Sequence, residues 1–306
     1  MTTANRLGGR ISVLVLAFVL AACQTVPRHL ATQWELPAGV KTLMVNGYPM
    51  AFLEAGKGQA VVLVHGAGVD YRSWRNQTAS PPDGFRLIAV SLRHHYPERW
   101  DGKGDTFSTK QHAADLAAFT EAMGAGAVYL VAHSLGSIPA FRMAQARPDL
   151  VKRLVLMDPI FHSLVASPAK PPEGGDRLGA VLKDVKVLFA QGNIEGGLEA
   201  WVDRDVPGTW KRRSEESRQV SRENAWTLVG VNSLITPVTC AEIGSLNMPV
   251  LLITGQKTPR RLANTFAATH KCMPAAQRVV IPAAGHSMHV DNPAAFEAAL
   301  VKFLSN

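Results

Sequence analysis

Ser134 stands in the pentapeptide Ala132-His133-Ser134-Leu135-Gly136, between the apolar run Val128 to Ala132 and a helical pattern from Ile138 to Ala146. A serine at a sharp strand-to-helix turn can present its hydroxyl to a carbonyl, provided that a neighbouring base takes the proton. The spacing is that of the G-x-S-x-G nucleophile elbow, with Ala132 in place of the first glycine. Alanine is the next smallest residue, so the turn is expected to survive, and Gly136 keeps the position where the helix must come close to the neighbouring strand. Pro139 falls in the first helical turn, where a missing N–H does no harm.

Two further segments supply what such a serine needs. His286 follows Ile281-Pro282-Ala283-Ala284-Gly285, beyond the last apolar run, and is the expected general base, with His289 as a nearby rival. His65-Gly66-Ala67-Gly68 follows the run Ala60 to Val64. Acyl transfer builds negative charge on the carbonyl oxygen, and two preorganised backbone N–H groups would stabilise it there. Ala67 and Leu135, the residue after the serine, are the two expected donors of this oxyanion hole.

Taken together, the elbow, the HGxG turn and the C-terminal Gly-His step resemble the α/β-hydrolase superfamily, from about residue 60 to residue 286. The resemblance implies an α/β-hydrolase fold and catalysis without a cofactor. Its members include esterases, lipases, lactonases and carbon–carbon bond hydrolases, and also epoxide hydrolases and haloalkane dehalogenases that use an aspartate nucleophile. Ser134 puts those last two behind the serine chemistries. The expected reaction is cleavage of a small-molecule ester of the carboxylesterase type. Carbon–carbon bond or amide hydrolysis on the same residues, or a non-enzymatic ligand-binding role on a hydrolase scaffold, stays open.

The acid departs from the commonest pattern in that superfamily. A carboxylate usually follows the strand that here reads Val250-Leu251-Leu252-Ile253-Thr254, but the sequence continues Gly255-Gln256-Lys257-Thr258-Pro259 and offers a threonine. Asp158, at the end of Leu154-Val155-Leu156-Met157, is the alternative, and it preserves the chain order Ser, Asp, His. Asp203, Asp205 and a dyad without an acid remain as other readings.

The elements that must hold these residues follow from hydrophobic patterning. Ala60 to Val64, Leu87 to Ser91, Val128 to Ala132, Leu154 to Met157, Val250 to Thr254 and Arg278 to Ile281 are short runs rich in β-branched residues, expected as strands buried on both faces. Helical patterns such as Thr109 to Met123 lie between them, so an α/β fold with a mostly parallel central sheet flanked by helices is predicted. Upstream, Lys41 to Val45 and Tyr48 to Glu54 read as a hairpin turning at Asn46-Gly47. The alternation stops between Phe161 and Ile243, read as a helical cap insertion that opens with the hinge-like stretch Ser167 to Gly175. The expected division is a signal peptide at 1–22, a linker at 23–40, a hydrolase core at 41–160 and 243–306, and a helical cap at 161–242.

Arg6 and Arg10 precede an apolar run from Ile11 to Ala22, the layout of a secretory signal peptide and too short for a comfortable membrane span. Leu20-Ala21-Ala22-Cys23 resembles the bacterial lipoprotein signal, which implies lipidation of Cys23 and a membrane anchor. Gln24 is not the aspartate that favours inner-membrane retention, so the outer membrane, facing the periplasm, is expected. Removing residues 1–22 lowers the formal charge from +8 to +6. The remaining Lys and Arg are scattered, and the densest cluster, Lys211 to Arg222, is mixed with Glu215 and Glu216, which argues against a nucleic-acid partner. The pair His94-His95, in the segment Ser91 to Trp100 expected near the rim of the site, has no supporting ligand at a useful spacing, so no metal is expected. Cys240 and Cys272 are expected as two separate thiols, because one should begin a helix entering a strand and the other should end the helix leaving it.

Overall fold

In the computed structural model, residues 1–2, 34–165 and 177–306 are described; all but the first two residues of the expected signal peptide, Cys23 and the stretch Ser167 to Gly175 lie outside them. Eight strands form one sheet: β1 (Val40–Val45), β2 (Tyr48–Gly56), β3 (Gln59–Val64), β4 (Phe85–Val90), β5 (Val128–His133), β6 (Val151–Met157), β7 (Val250–Gly255) and β8 (Gln277–Ile281). Their spatial order is β1-β2-β4-β3-β5-β6-β7-β8. β2 runs antiparallel to both β1 and β4, and every other neighbouring pair is parallel. The hairpin joining β1 to β2 turns at Asn46 and Gly47, both at positive φ as a two-residue primed turn requires.

Helices α1 (Arg75–Ala79), α2 (Thr109–Ala122), α3 (Ser137–Ala146), α4 (Arg177–Ala190), α5 (Ile194–Asp203), α6 (Thr209–Arg212), α7 (Glu215–Glu223), α8 (Val231–Leu234), α9 (Cys240–Gly244), α10 (Arg260–Cys272), α11 (Met288–Asp291) and α12 (Pro293–Ser305) complete the chain. Alternate residues of the central strands feed two cores. Val62, Val64, Leu130 and Leu156 pack on the face that carries Leu116 and Phe119 of α2 and Phe141 of α3. Val61, Leu63, Val131 and Val155 pack on the opposite face with Trp74 and with Phe296 and Phe303 of α12. A sheet buried on both faces explains why its strands read as unbroken apolar runs.

The strand order places the site. β4 lies on one side of β3 and β5 on the other, so the chain changes direction of winding between β3 and β5. Open α/β sheets bind ligands beyond the C-terminal ends of the strands at such a point. Here the turn His65 to Gly68 leaves β3 and Ser134 leaves β5, side by side. Helices α4 to α9 all fall between β6 and β7. No helix among the described residues is long and apolar enough to cross a membrane.

Cys240 and Cys272 are joined by a disulfide, with 4.9 Å between their Cα atoms, which corrects the expectation of two separate thiols. α9 is only five residues long, so it cannot carry Cys240 to the far end of the fold. A helix of that length spans roughly 7–8 Å. α10 returns antiparallel to β7 and brings Cys272 to the same end, where a Cβ on Gly244 would lie 3.1 Å from the Cys272 carbonyl oxygen.

Candidate active site

β5 continues as ordinary strand through Ala132 and His133, and the backbone turns only at Ser134, whose φ is +54°. Nothing in that geometry demands glycine at 132. A left-handed non-glycine residue costs on the order of 1–3 kcal/mol and persists where the surroundings over-determine it. The surroundings here are close-packed: a Cβ on Gly136 would lie 2.2 Å from the carbonyl oxygen of His65, and one on Gly66 would lie 3.1 Å from Cβ of Ser134. Elbow and HGxG turn therefore fit together only with glycine at 136, and a side chain at 66 would crowd Ser134.

Asp158 also has positive φ, +43°, and is fully buried. Its N–H donates to the carbonyl of Ile253 at 2.9 Å, fastening the end of β6 to β7. Its carboxylate accepts three hydrogen bonds. Thr254 Oγ1 donates to Oδ1 at 2.6 Å, Thr258 Oγ1 donates to Oδ2 at 2.8 Å, and His286 Nδ1 lies 2.9 Å from Oδ2. The other ring nitrogen of His286, Nε2, lies 2.9 Å from Ser134 Oγ. Because a carboxylate only accepts, the Nδ1 proton belongs on the Asp158 side, which leaves the Nε2 lone pair facing the serine hydroxyl.

The elbow is tied to both partner loops. His133 donates from Nε2 to the backbone carbonyl of His286 at 2.8 Å, with ring centroids 4.7 Å apart. Ser137 Oγ donates to the carbonyl of Ser134 at 2.5 Å and accepts from the N–H of Ile160 at 3.1 Å, which links the elbow to the Asp158 loop. His133 and Ser137 were not singled out in the sequence, nor was Thr254. A polar residue at the end of an otherwise apolar strand is the signal that could have found Thr254.

Burial keeps the surrounding imidazoles neutral. It pushes His133 well below the usual histidine range, helped by repulsion from His286 and His289, and pushes His289 down to about 3. His289, the sequence's rival base, is buried against Trp74 and His133, with centroids 4.6 and 4.8 Å away, while its neighbour His286 meets the serine. Asp203 accepts from the N–H groups of Gly208 and Trp210, both at 2.7 Å, and Asp205 is bound by Arg261. Neither of these alternative acids hydrogen-bonds His286.

Ala67 and Leu135 line one small cavity of about 10 Å³ with Gly66 and Gly136. That is room for about one water-sized group. The helical insertion closes its outer side through Thr227, Val231 and Leu234, and Leu228 sits where a side chain on Gly68 would go. His95 reaches this cavity from the β4 loop, its Nδ1 donating to the carbonyls of Leu92 and Arg93, while His94 bonds Glu98 and Thr106. Among the described residues no three His, Cys, Asp or Glu side chains are grouped to hold a metal ion.

The alpha/beta hydrolase family model matches residues 61–299. The chain belongs to the alpha/beta hydrolase family. An esterase of Mycobacterium tuberculosis is 26% identical over 256 residues, covering 78% of this hydrolase and 80% of the relative. A soluble epoxide hydrolase of a Corynebacterium species is 32% identical over 169 residues, 53% of this chain and 54% of that one. Among solved structures, a thermophilic esterase from Thermogutta terrifontis superposes with a TM-score of 0.68 at 23% identity, covering 87% of this chain and 97% of its own. At that identity the likeness speaks for the fold alone.

Proposed function

We propose that this alpha/beta hydrolase is a serine hydrolase that cleaves carboxylic esters of small molecules. Ser134 Oγ attacks the carbonyl carbon as its proton passes to His286 Nε2, and the carbonyl electron pair moves onto oxygen, received by the N–H groups of Ala67 and Leu135. Collapse breaks the bond to the alkoxy group, which leaves as the alcohol with the proton from His286. Water then attacks the acyl-enzyme, gives its proton to His286, and releases the acid as Ser134 regains its hydrogen. Asp158 orients the imidazole and stabilises its charged form throughout.

The observation that carries this reading is the continuous row from Asp158 Oδ2 through His286 to Ser134 Oγ, with both contacts at 2.9 Å. The esterase of M. tuberculosis among its relatives favours an ester over other acyl substrates. The test is turnover of 4-nitrophenyl esters of graded chain length, with fluorophosphonate labelling. Wild-type protein should be labelled and active, and Ser134→Ala should lose labelling and at least about 10⁴-fold in kcat. Full activity in that variant would overturn the assignment.

The same chain is proposed to be exported and lipidated at Cys23, anchored in the outer membrane and facing the periplasm. The leader Met1 to Ala22 and the Leu20-Ala21-Ala22-Cys23 step support this, and the Cys240–Cys272 disulfide suits an oxidising compartment. Metabolic labelling with a clickable palmitate should mark the wild type and leave Cys23→Ser unmarked.

A further inference from the structure

A charged cluster beside the site takes no part in the steps above. Asp205, just beyond α5, is held by Arg261, three residues past the Thr258 that bonds Asp158, and its charge acts on His286. Arg261 Nε and Nη2 grip its carboxylate, both at 2.7 Å, and Arg204 Nε lies 3.4 Å from it. A third guanidinium, Arg213, acts on Arg204. Asp203, the other carboxylate, faces Arg213 but spends both oxygens on the N–H groups of Gly208 and Trp210. His162 faces Arg204, Arg261 and Asp205, and burial with the two arginines holds it down to about 4, so it adds no charge near neutrality. Among the described residues, three guanidiniums stand against two carboxylates, one positive charge in excess.

Arg204 is where the excess shows. Its guanidinium lies 3.9 Å over the Trp201 ring and donates from Nη1 to the Trp201 carbonyl at 2.5 Å. Its Nε is buried and, among the described residues, has no hydrogen-bond partner. Burial first, then Arg261 and Arg213, push the group down to about 10, with Asp205 opposing them. Such a half-satisfied cation is costly to keep unless a counter-charge completes its shell. A planar fork held over tryptophan matches a carboxylate in shape and charge.

We infer that this cluster is a carboxylate-binding subsite, so that the ester cleaved at Ser134 carries a free carboxylate held by Arg204 while Arg261 and Asp205 hold Arg204 in place. The inference rests on the serine-hydrolase reading for the reaction, but the binding of the anion can be read without it. The kinetic arm compares mono-4-nitrophenyl glutarate with its methyl ester, the same molecule without the charge. The free acid should have kcat/KM about tenfold higher or more, chiefly through KM and shrinking with added salt.

Arg204→Met keeps a stem over Trp201 and removes the fork, and the ratio should fall toward one. Lys211→Met removes one positive charge from an exposed site, where Lys211 pairs with Glu199 at 3.6 Å, and the ratio should hold. A ratio near one in the wild type, or an equal loss in Lys211→Met, overturns the subsite. The binding arm titrates glutarate calorimetrically into wild type, Ser134→Ala and Arg204→Met. Binding to the first two, weakened about tenfold or more in the third, supports the subsite. Absent binding, or equal binding in all three, overturns it. If neither ester turns over while glutarate binds as expected, the serine-hydrolase reading fails and the subsite stands.

Discussion

The loops that end β5, β6 and β7 and the helical insertion beside them treat their buried polar groups in opposite ways. Asp158 accepts from Thr254 and Thr258 and faces His286 Nδ1, and His133 and Ser137 lock the elbow to the loops on either side. Beside the site, the insertion leaves Arg204 Nε buried without a hydrogen bond among the described residues, and together with Arg261 of α10 it gathers more cation than anion. Saturation suits a site whose geometry must be fixed before a substrate arrives. A cation with a donor left over suits one that waits for a ligand.

The largest break in that contrast should come from Asp158→Asn. The fold should persist, since Thr254 can still donate to the amide oxygen and the Thr258 hydroxyl can accept from the amide N–H, but the imidazole loses the acceptor that fixes its tautomer. A drop of about 10⁴-fold in kcat is expected, with KM little changed. A neutral outcome in ester kinetics would remove Asp158 from the site.

Acid should loosen the core around these loops more than the insertion. His65 is held at about 4 and His112 and His289 at about 3, each mainly by burial, whereas the insertion side contributes only His162, at about 4. These rings stay neutral when folded and take up protons on unfolding below pH 6.5. Their contribution is therefore complete above that pH and is lost as the pH falls toward 4 and below. Each removes about 1.4 kcal/mol of stability per pH unit in that window. Urea midpoints at pH 7, 6 and 5 should fall progressively, and a constant midpoint would contradict the neutral burial of these rings.

A smaller effect is expected where the insertion rejoins the core. The Cys240–Cys272 bridge closes a loop of sequence separation 32. Its loss in Cys240→Ser should lower unfolding free energy by about 3–4 kcal/mol in the chain-entropy account. Reduced wild type should melt with the variant. The mildest change is His133→Phe, which keeps a ring in the elbow but removes the donor to the His286 carbonyl. A fall of roughly 10- to 100-fold in kcat at nearly constant KM is expected. His133→Gln, whose amide can donate, should recover part of it, whereas a purely packing role would make glutamine the worse replacement.

The parallel sheet was readable because runs such as Ala60 to Val64 and Val250 to Thr254 need no partner to announce two-sided burial. The hairpin at Asn46-Gly47 was readable because positive φ at two successive residues selects that dipeptide. Asp158 was reached through a gap at Thr258, and the gap turns out to be occupied: the threonine hydroxyl donates 2.8 Å to the carboxylate it seemed to replace. Cys240 and Cys272 were misjudged because helix length sets which end of the fold a residue reaches, and α9 ends after little more than one turn.

The sequence by itself determined the class of fold, the elbow at Ser134 and the glycines beside it, because these rest on local patterning and on turns that admit few residue types. Only the tertiary structure decided that Thr254 and Thr258 share Asp158, that His133 holds the backbone of His286, and that Arg204 and Arg261 share Asp205. Those contacts join residues distant in sequence through the strand order and the placement of the insertion, and no spacing along the chain encodes which buried groups will face each other.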